Sequence, residues 1–402
     1  MGWWPGAKVE PVIEVVGIGA AGWGSLDEQT RDLVRRADLV LGGARHLELL
    51  PAAAGQRRLT WPKNLRQDLP VLLSDHDRQQ TVALASGDPL VAGVGSTLIE
   101  IFGAEQVRIH PAVSSVALAR ARMGWSEDTV EVIRLRGDDM DQVRRWLFPG
   151  QRLVILSRDS ESPAEVAAVL AEAGCGDSLL TVLCDLGSAA ESRQGDPQAA
   201  PALNVVCVEV QGEPRWASLA PGLPDDAYEN DGQLTKRDVR TSALARLSPR
   251  PGNLLWDVGA GAGSIAIEWL RANPRGRAIA IERDHDRVKR IAANSRQLGV
   301  PGLQVMHGVA PAALADLPRP DAVFVGGGAT AEVLDVVWSA LRPGGRLVVH
   351  AVTVQTEMII TERWQRLGGE LTRMAVEHLE RIGSYHGWKP SRAVVQWSAV
   401  RE

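Results

Sequence analysis

The sequence is poor in cysteine and lysine, and it has no long apolar run. Its 402 residues include three cysteines, Cys175, Cys184 and Cys207. They form no C-x-x-C pair, and an odd number makes a poor disulfide framework. No uninterrupted apolar segment reaches the roughly 18 residues that a membrane span needs. The opening MGWWPGAKVEP lacks the apolar stretch of a secretory leader. The expectation is a reduced, cytoplasmic chain with no membrane partner. An excess of positive charge is missing too. The formal net charge is −5, and nucleic-acid binding needs a basic surface, so no nucleic-acid partner is expected. The eight histidines show neither H-E-x-x-H nor a clustered spacing, so no metal site is expected. DHDR (284–287) reads as a charged helix face, and no G-x-S-x-G nucleophile elbow occurs.

The positive charge that is present is mostly arginine. Lysine stands only at Lys8, Lys63, Lys236, Lys289 and Lys389 among 44 basic residues. Arginine grips carboxylates with two parallel hydrogen bonds. A polyanionic ligand and a compositional bias of the genome both account for the imbalance. The length suggests two or three domains, each with material for a core.

Short apolar runs alternate with helical patterns through the first half. Strands are expected at 11–19, 37–43, 81–88, 106–112, 129–135, 151–157, 179–186 and 203–210. Helices are expected at 27–37 and 162–174, the second with Ser162 as N-cap, Pro163 at the first helical position and Gly174 as the stop. The stretch 187–202 reads as a surface loop. Then 211–233, QGEPRWASLAPGLPDDAYENDGQ, is rich in Pro, Gly and acids and has no period. It marks a domain boundary, giving domains 1–212 and 233–402 joined by a linker, 213–232. The second half carries strands at 253–259, 277–282, 303–308, 321–327, 345–352 and 392–400. Helices fit between them at 263–272, 284–298, 310–315, 330–341 and 355–368. Both halves are α/β, and the even spacing of the second indicates a doubly wound parallel sheet with its ligand at the carboxyl ends of the strands.

Two glycine turns could hold a nucleotide. GIGAAG (17–22) matches G-x-G-x-x-G, which on its own would suggest an NAD(P)-dependent oxidoreductase. The next strand ends in Gly42 and Gly43, however, with no acid to hold a ribose. WDVGAGAGS (256–264) is tighter, with Gly259, Gly261 and Gly263 as G-x-G-x-G. The strand after it ends in Glu282, whose carboxylate can accept from both hydroxyls of an unphosphorylated ribose. That combination fits S-adenosylmethionine, which has a ribose diol and no pyrophosphate. In the first half, Gly87-Asp88-Pro89 follows an apolar strand, and Ser114 and Ser115 open a helix in PAVSSVALARARMG. Glycine admits close approach of a ligand, and proline fixes φ.

These motifs carry two resemblances. DVGAGAGS, Glu282, PDAVFVGGG (320–328) and LRPGGRLVV (341–349), in that order, resemble the Rossmann-like class I methyltransferases. VVGIG, ADLVLGGARHLELL, Gly87-Asp88-Pro89 and PAVSSV resemble the tetrapyrrole methylases, which have an unrelated fold of two α/β lobes. The fusion of the two, with QLTKRDVR (233–240) and GWKPSRAVVQW (387–397), resembles the bifunctional, decarboxylating precorrin methyltransferases of cobalamin biosynthesis. The resemblance implies two molecules of S-adenosylmethionine per chain, a precorrin (tetrapyrrole) substrate and a homo-oligomer. It implies C5 methylation by the first domain, and C15 methylation with loss of the C12 acetate carboxyl by the second. Cofactor contacts are expected at Gly17, Gly19, Gly87, Asp88, Pro89, Ser114 and Ser115 in the first domain. In the second they are expected at Thr235, Asp257, Gly259, Ala260, Gly261, Ala262, Gly263 and Glu282, and at the backbone of Val309 and Ala310. Lys236, Arg237 and Arg240 are candidates to grip substrate carboxylates, or to form a solvated helix start.

Overall fold

A computed structural model describes residues 13–74, 80–135 and 139–402. The opening MGWWPGAKVEP, with Lys8, and the first two residues of the strand expected at 11–19 lie outside them. The chain divides into two compact units. The second comprises Gly212–Glu402 and two short segments of the first half, one ending at Pro149 and the other Val169–Gly176.

The first unit contains two five-stranded sheets. Strands β1 (Ile13–Ile18), β2 (Leu39–Gly42), β3 (Arg57–Thr60), β4 (Thr81–Ser86) and β5 (Val107–His110) form an all-parallel sheet in the order β3-β2-β4-β1-β5. Its residues alternate between two cores. Val15, Leu41 and Ala83 face one, and Val16, Val40 and Leu84 face the other. Both faces are therefore covered, as a parallel sheet requires. Strands β6 (Val130–Arg134), β7 (Arg152–Leu156), β8 (Leu179–Cys184), β9 (Ser192–Gln194) and β10 (Asn204–Glu209) form a mixed sheet in the order β6-β7-β10-β8-β9. The helix Ser115–Met123 packs against it through Val116 and Ala119. Strand β3 was not anticipated, because RRLT is half exposed and reads as polar. Strand β9 falls inside the expected loop 187–202. Ser162 is the first residue of its helix and not the cap. Asp159 caps instead, accepting from the N–H groups of Glu161 and Ser162 at 3.1 and 2.9 Å.

The second unit is built on a seven-stranded sheet. Its strands are β11 (Leu254–Val258), β12 (Arg277–Glu282), β13 (Gln304–His307), β14 (Ala322–Val325), β15 (Arg346–Ala351), β16 (Glu370–Met374) and, after the hairpin β17 (Glu377–Ile382) and β18 (Tyr385–Pro390), β19 (Val394–Val400). The order is β13-β12-β11-β14-β15-β19-β16, parallel through β15 and antiparallel at β19. The order reverses between β11 and β14, which opens a crevice at their carboxyl ends. The expected helices are found at Ser264–Ala272, His285–Gln297, Ala331–Ala340 and Val354–Leu367. The one at 310–315 is a single 3₁₀ turn, Ala312–Leu314. Strands β16 to β18 were not anticipated, because β17 is exposed along its whole length and shows no buried face.

The aperiodic stretch 211–233 is strapped onto the second unit. Glu268, 1% exposed, accepts from the N–H groups of Gly222 and Leu223 at 2.6 and 3.1 Å, from Tyr228 Oη at 2.8 Å and from Arg240 Nε at 2.7 Å. Arg271 donates to the carbonyls of Trp216 and Ser218. Leu223, Ala227 and Tyr228 enter the core. Among the described residues, no helix is long and apolar enough to cross a membrane.

Candidate active sites at two glycine cradles

The three glycines after β11 have φ of +70°, +59° and +78°, a region side chains rarely adopt. Each also faces a different close neighbour. A Cβ on Gly259 would stand 2.6 Å from the carbonyl oxygen of Gly327. One on Gly261 would stand 2.6 Å from that of Gln233, and one on Gly263 would stand 2.8 Å from Ile291 Cγ2. The cradle is thus pressed between the turn after β14, the strap and the helix His285–Gln297.

Glu282 ends β12 beside it, 3% exposed. One carboxylate oxygen accepts from Gly261 N at 2.8 Å and the other from Asp284 N at 3.1 Å. Each oxygen keeps a second lone pair. A cavity of about 910 Å³ opens here. Thr235, Lys236, Gly259, Ala260, Gly261, Glu282, Val309 and Ala310 line it, so the structure brings these expected residues together.

Other expected residues lie off the wall. Ala262 is in the core, and Gly263 seats the following helix. Asp257 is fully buried on β11. One oxygen accepts from Ala266 N at 3.0 Å, and the other has no partner among the described residues. Burial, with the nearby Glu282 charge, pushes its pKa up to about 7. Arg240 cannot reach a substrate. It is 0% exposed, and its guanidinium is held by Glu268, Asp225 and the carbonyls of Thr235 and Leu223, under the Tyr228 ring. Arg237 is exposed but not on the cavity wall. Lys236 is on the wall, 3.4 Å from Asp225.

The wall also holds cations that sequence reasoning missed: Arg283, Arg287, Lys389 and Arg392. Arg287 pairs with Asp231 at 2.9 Å and Lys389 with Glu380 at 2.9 Å. Arg283 and Arg392 have no ion-pair partner among the described residues. Arg283 directly follows Glu282, and its position past a strand's carboxyl end was the signal available. Arg392 comes from the loop between the hairpin and β19, which only the fold brings here.

In the first unit a second cavity, of about 380 Å³, lies at the carboxyl ends of β1 and β4. Gly19, Gly87 and Ser115 line it. Gly17, Asp88, Pro89 and Ser114 shape it from behind. A Cβ on Gly17 would collide with the Gly87 carbonyl oxygen, so β1 and the turn after β4 touch there. Asp88 Oδ1 accepts from Leu90 N at 2.8 Å, closing the turn. Pro89 O accepts from Gly95 N at 3.0 Å. Ser114 is the N-cap of its helix, accepting from Ala117 N at 3.1 Å. Across the cavity, Ser157 and Asn204 each present a buried oxygen without a partner among the described residues. Unpaired buried acceptors are costly, and here they offer a ligand two places to donate hydrogen bonds. The dinucleotide reading fails on topology: β1 lies between β4 and β5, so the end of β2 is not beside the glycine turn.

A parallel sheet with a glycine cradle and a carboxylate at its switch point, preceded by a two-lobed α/β unit, defines a two-domain methyltransferase of Rossmann-like and tetrapyrrole methylase folds. The comparisons agree. The Precorrin methyltransferase domain model matches residues 226–401, and the model of Tetrapyrrole (Corrin/Porphyrin) Methylases matches 12–194. The chain is 41% identical over 401 residues to the precorrin-6Y C(5,15)-methyltransferase [decarboxylating] of Sinorhizobium sp, covering 98% of this chain and 97% of that one. Two shorter proteins each match 42% of this chain. One is the cobalt-precorrin-7 C(5)-methyltransferase of Salmonella typhimurium, 32% identical with 83% of its length covered. The other is the "Probable cobalt-precorrin-6B C(15)-methyltransferase (decarboxylating)" of Pyrobaculum calidifontis, 34% identical with 91% covered. The chain belongs to the precorrin-6Y C(5,15)-methyltransferase (decarboxylating) family.

Proposed function

We propose that this protein methylates a precorrin at C5 and C15 with S-adenosylmethionine and removes the carboxyl group of the C12 acetate, in cobalamin biosynthesis. The observation that carries the reading is the presence of two different glycine cradles, each beside its own cavity, in a chain related over nearly its whole length to enzymes named for that reaction. The two half-reactions also appear in the names of separate, shorter relatives, each matching less than half of this chain. That supports C5 methylation in domain 1–212, and C15 methylation with decarboxylation in domain 233–402. The full-length relative is named for a precorrin and the shorter ones for cobalt-precorrins, which favours a metal-free substrate here.

Two molecules of S-adenosylmethionine would bind per chain, each supplying a methyl on a sulfonium. In the second domain Glu282 would accept from the ribose hydroxyls, Gly259 to Gly261 would let the methionine end touch backbone, and Val309 and Ala310 would meet the adenine edge. In the first, Gly19, Gly87 and Ser115 would contact the cofactor, and Ser157 and Asn204 would accept its hydrogen bonds. The residues fit the group: the carboxylate keeps free lone pairs, and the cradle has no side chain to block approach. Methyl transfer depends on alignment of nucleophile, methyl and sulfur more than on an acid or base. Lys236, Arg283 and Arg392 would grip the substrate's peripheral carboxylates. The same reading carries self-association and a cytoplasmic location. Mass spectrometry of the product is the direct test. A gain of two methyls and loss of one carboxyl is expected, and an unchanged tetrapyrrole would refute the reading.

A further inference from the structure

The cavity of the second unit holds a basic group that this reading does not use. His350 lies near the carboxyl end of β15, 7% exposed, on the same wall as Gly259, Gly261 and Glu282. Its Nε2 is 2.9 Å from Oε1 of Gln396, its register partner on β19. Gln396 is fully buried, and its amide nitrogen donates to Ser242 Oγ at 3.3 Å. Gln396 therefore turns an oxygen toward the ring. Nε2 carries the ring proton, and Nδ1 carries the lone pair. Phe324 packs edge-on against the ring, 4.8 Å between centroids. Nδ1 has no protein partner among the described residues. Burial lowers the pKa to about 4, so the ring is a neutral base. The other imidazole on the wall, His378, sits on the exposed hairpin. Of the carboxylates on the wall, Asp225 pairs with Lys236 and Arg240, Glu380 pairs with Lys389, Glu282 accepts from Gly261 N and Asp284 N, and Asp238 is exposed.

Resting on the function proposed above, we propose that His350 Nδ1 takes the proton released from C15 and returns it to the side-chain carbon that loses carbon dioxide. The balance is closed. C15 supplies the electron pair of the new C–CH3 bond, and the S–CH3 bond breaks with its pair going to sulfur. The C15–H bond then breaks, its pair restores conjugation, and the proton goes to Nδ1. The C–CO2 bond of the acetate breaks, its pair passes through the conjugated system, and the methylene takes the proton from Nδ1. The sulfonium's positive charge and the carboxylate's negative charge cancel. One proton leaves carbon and one returns, so no oxidant and no other co-reactant is needed. A weak base suffices for the first transfer, because the C–H sits beside a cationic conjugated ring. The same weakness makes the protonated ring a ready donor for the second.

The test uses the full-length enzyme. One turnover in D2O, with the product's new C12 methyl read by mass spectrometry, should show mainly CH3, the hydrogen coming from C15. A methyl that is wholly CH2D overturns the relay. His350→Asn should slow C15 methylation with carbon dioxide release by roughly 100-fold or more. It should leave the KM for S-adenosylmethionine within about threefold and C5 methylation unchanged. A variant with near-normal kcat, or one whose defect lies only in KM, overturns the assignment. If the wild type itself makes no doubly methylated, decarboxylated product, the underlying reading fails first, and the two failures are distinguishable.

Discussion

The carboxylate of Glu282 accepts a hydrogen bond from the backbone N–H of Gly261 at 2.8 Å. One bond ties the acid that ends β12 to the glycine cradle that follows β11. Under the proposed function the carboxylate would meet the ribose and the cradle the methionine end, so the bond would couple the two. Glu282→Ala should therefore lose the ribose acceptors and loosen the cradle at once. Charge-assisted hydrogen bonds contribute about 1.5–3 kcal/mol, so one of the two proposed S-adenosylmethionine sites should weaken roughly 10- to 100-fold. Isothermal titration should show one tight site left, with C5 methylation intact. An equal fall in both activities would refute the division of labour.

Gly17→Ala and Gly259→Ala should each silence a different reaction. At Gly17 the new methyl would collide with the Gly87 carbonyl oxygen, and at Gly259 it would stand 2.6 Å from that of Gly327. Gly259 adds a φ of +70°, which costs a side chain about 1–3 kcal/mol. Product analysis should show loss of C5 methylation in the first variant and of C15 methylation in the second. Gly344→Ala is the control. Its φ is +74°, and a Cβ there meets open space away from the cavity, so only the backbone strain should appear in a melting curve.

Glu268→Ala should release the strap. It leaves Arg240 as a buried cation with reduced pairing and frees the N–H groups of Gly222 and Leu223. Breaking a buried pair by removing one partner costs about 3–5 kcal/mol. Limited proteolysis should cut within 216–235 in the variant far faster than in wild type.

Two buried groups give stability opposite pH slopes. His350 resists protonation down to about 4 when folded, whereas the unfolded ring takes a proton near 6.5. Its contribution is full above that value and is lost as pH falls toward 4, by up to about 3 kcal/mol. Asp257 holds its proton up to about 7 when folded, whereas the unfolded carboxyl releases it near 3.9. Its contribution is full at low pH and is lost as pH rises toward 7. In wild type the slopes offset one another between about 4 and 6.5. Asp257→Asn should make the urea midpoint rise from pH 5 to pH 7. His350→Asn should make it fall.

Much of this was legible in the residues. Gly259, Gly261 and Gly263 stood out by type and spacing, because glycine takes a positive φ without steric cost, and Glu282 stood out by its place at the end of the next strand. The parallel order was implied by alternating strands and helices. Arg240 was misjudged, since nothing in QLTKRDVR distinguishes a guanidinium facing a ligand from one facing Glu268. The stretch 213–232 reads as a linker in sequence, because its order comes from the Glu268 and Arg271 side chains and not from any period of its own.

The sequence by itself determined the two glycine turns, the doubly wound sheet of the second half and the family, because backbone conformation and burial are written in local residue types. Tertiary structure decided which charges reach the cavities. It drew Arg392 and His350 to a wall shared with Glu282, buried Arg240, and left Ser157 and Asn204 with open acceptors. The physical reason is that a polar side chain's role depends on which partners surround it, and those partners arrive from strands far apart in the chain.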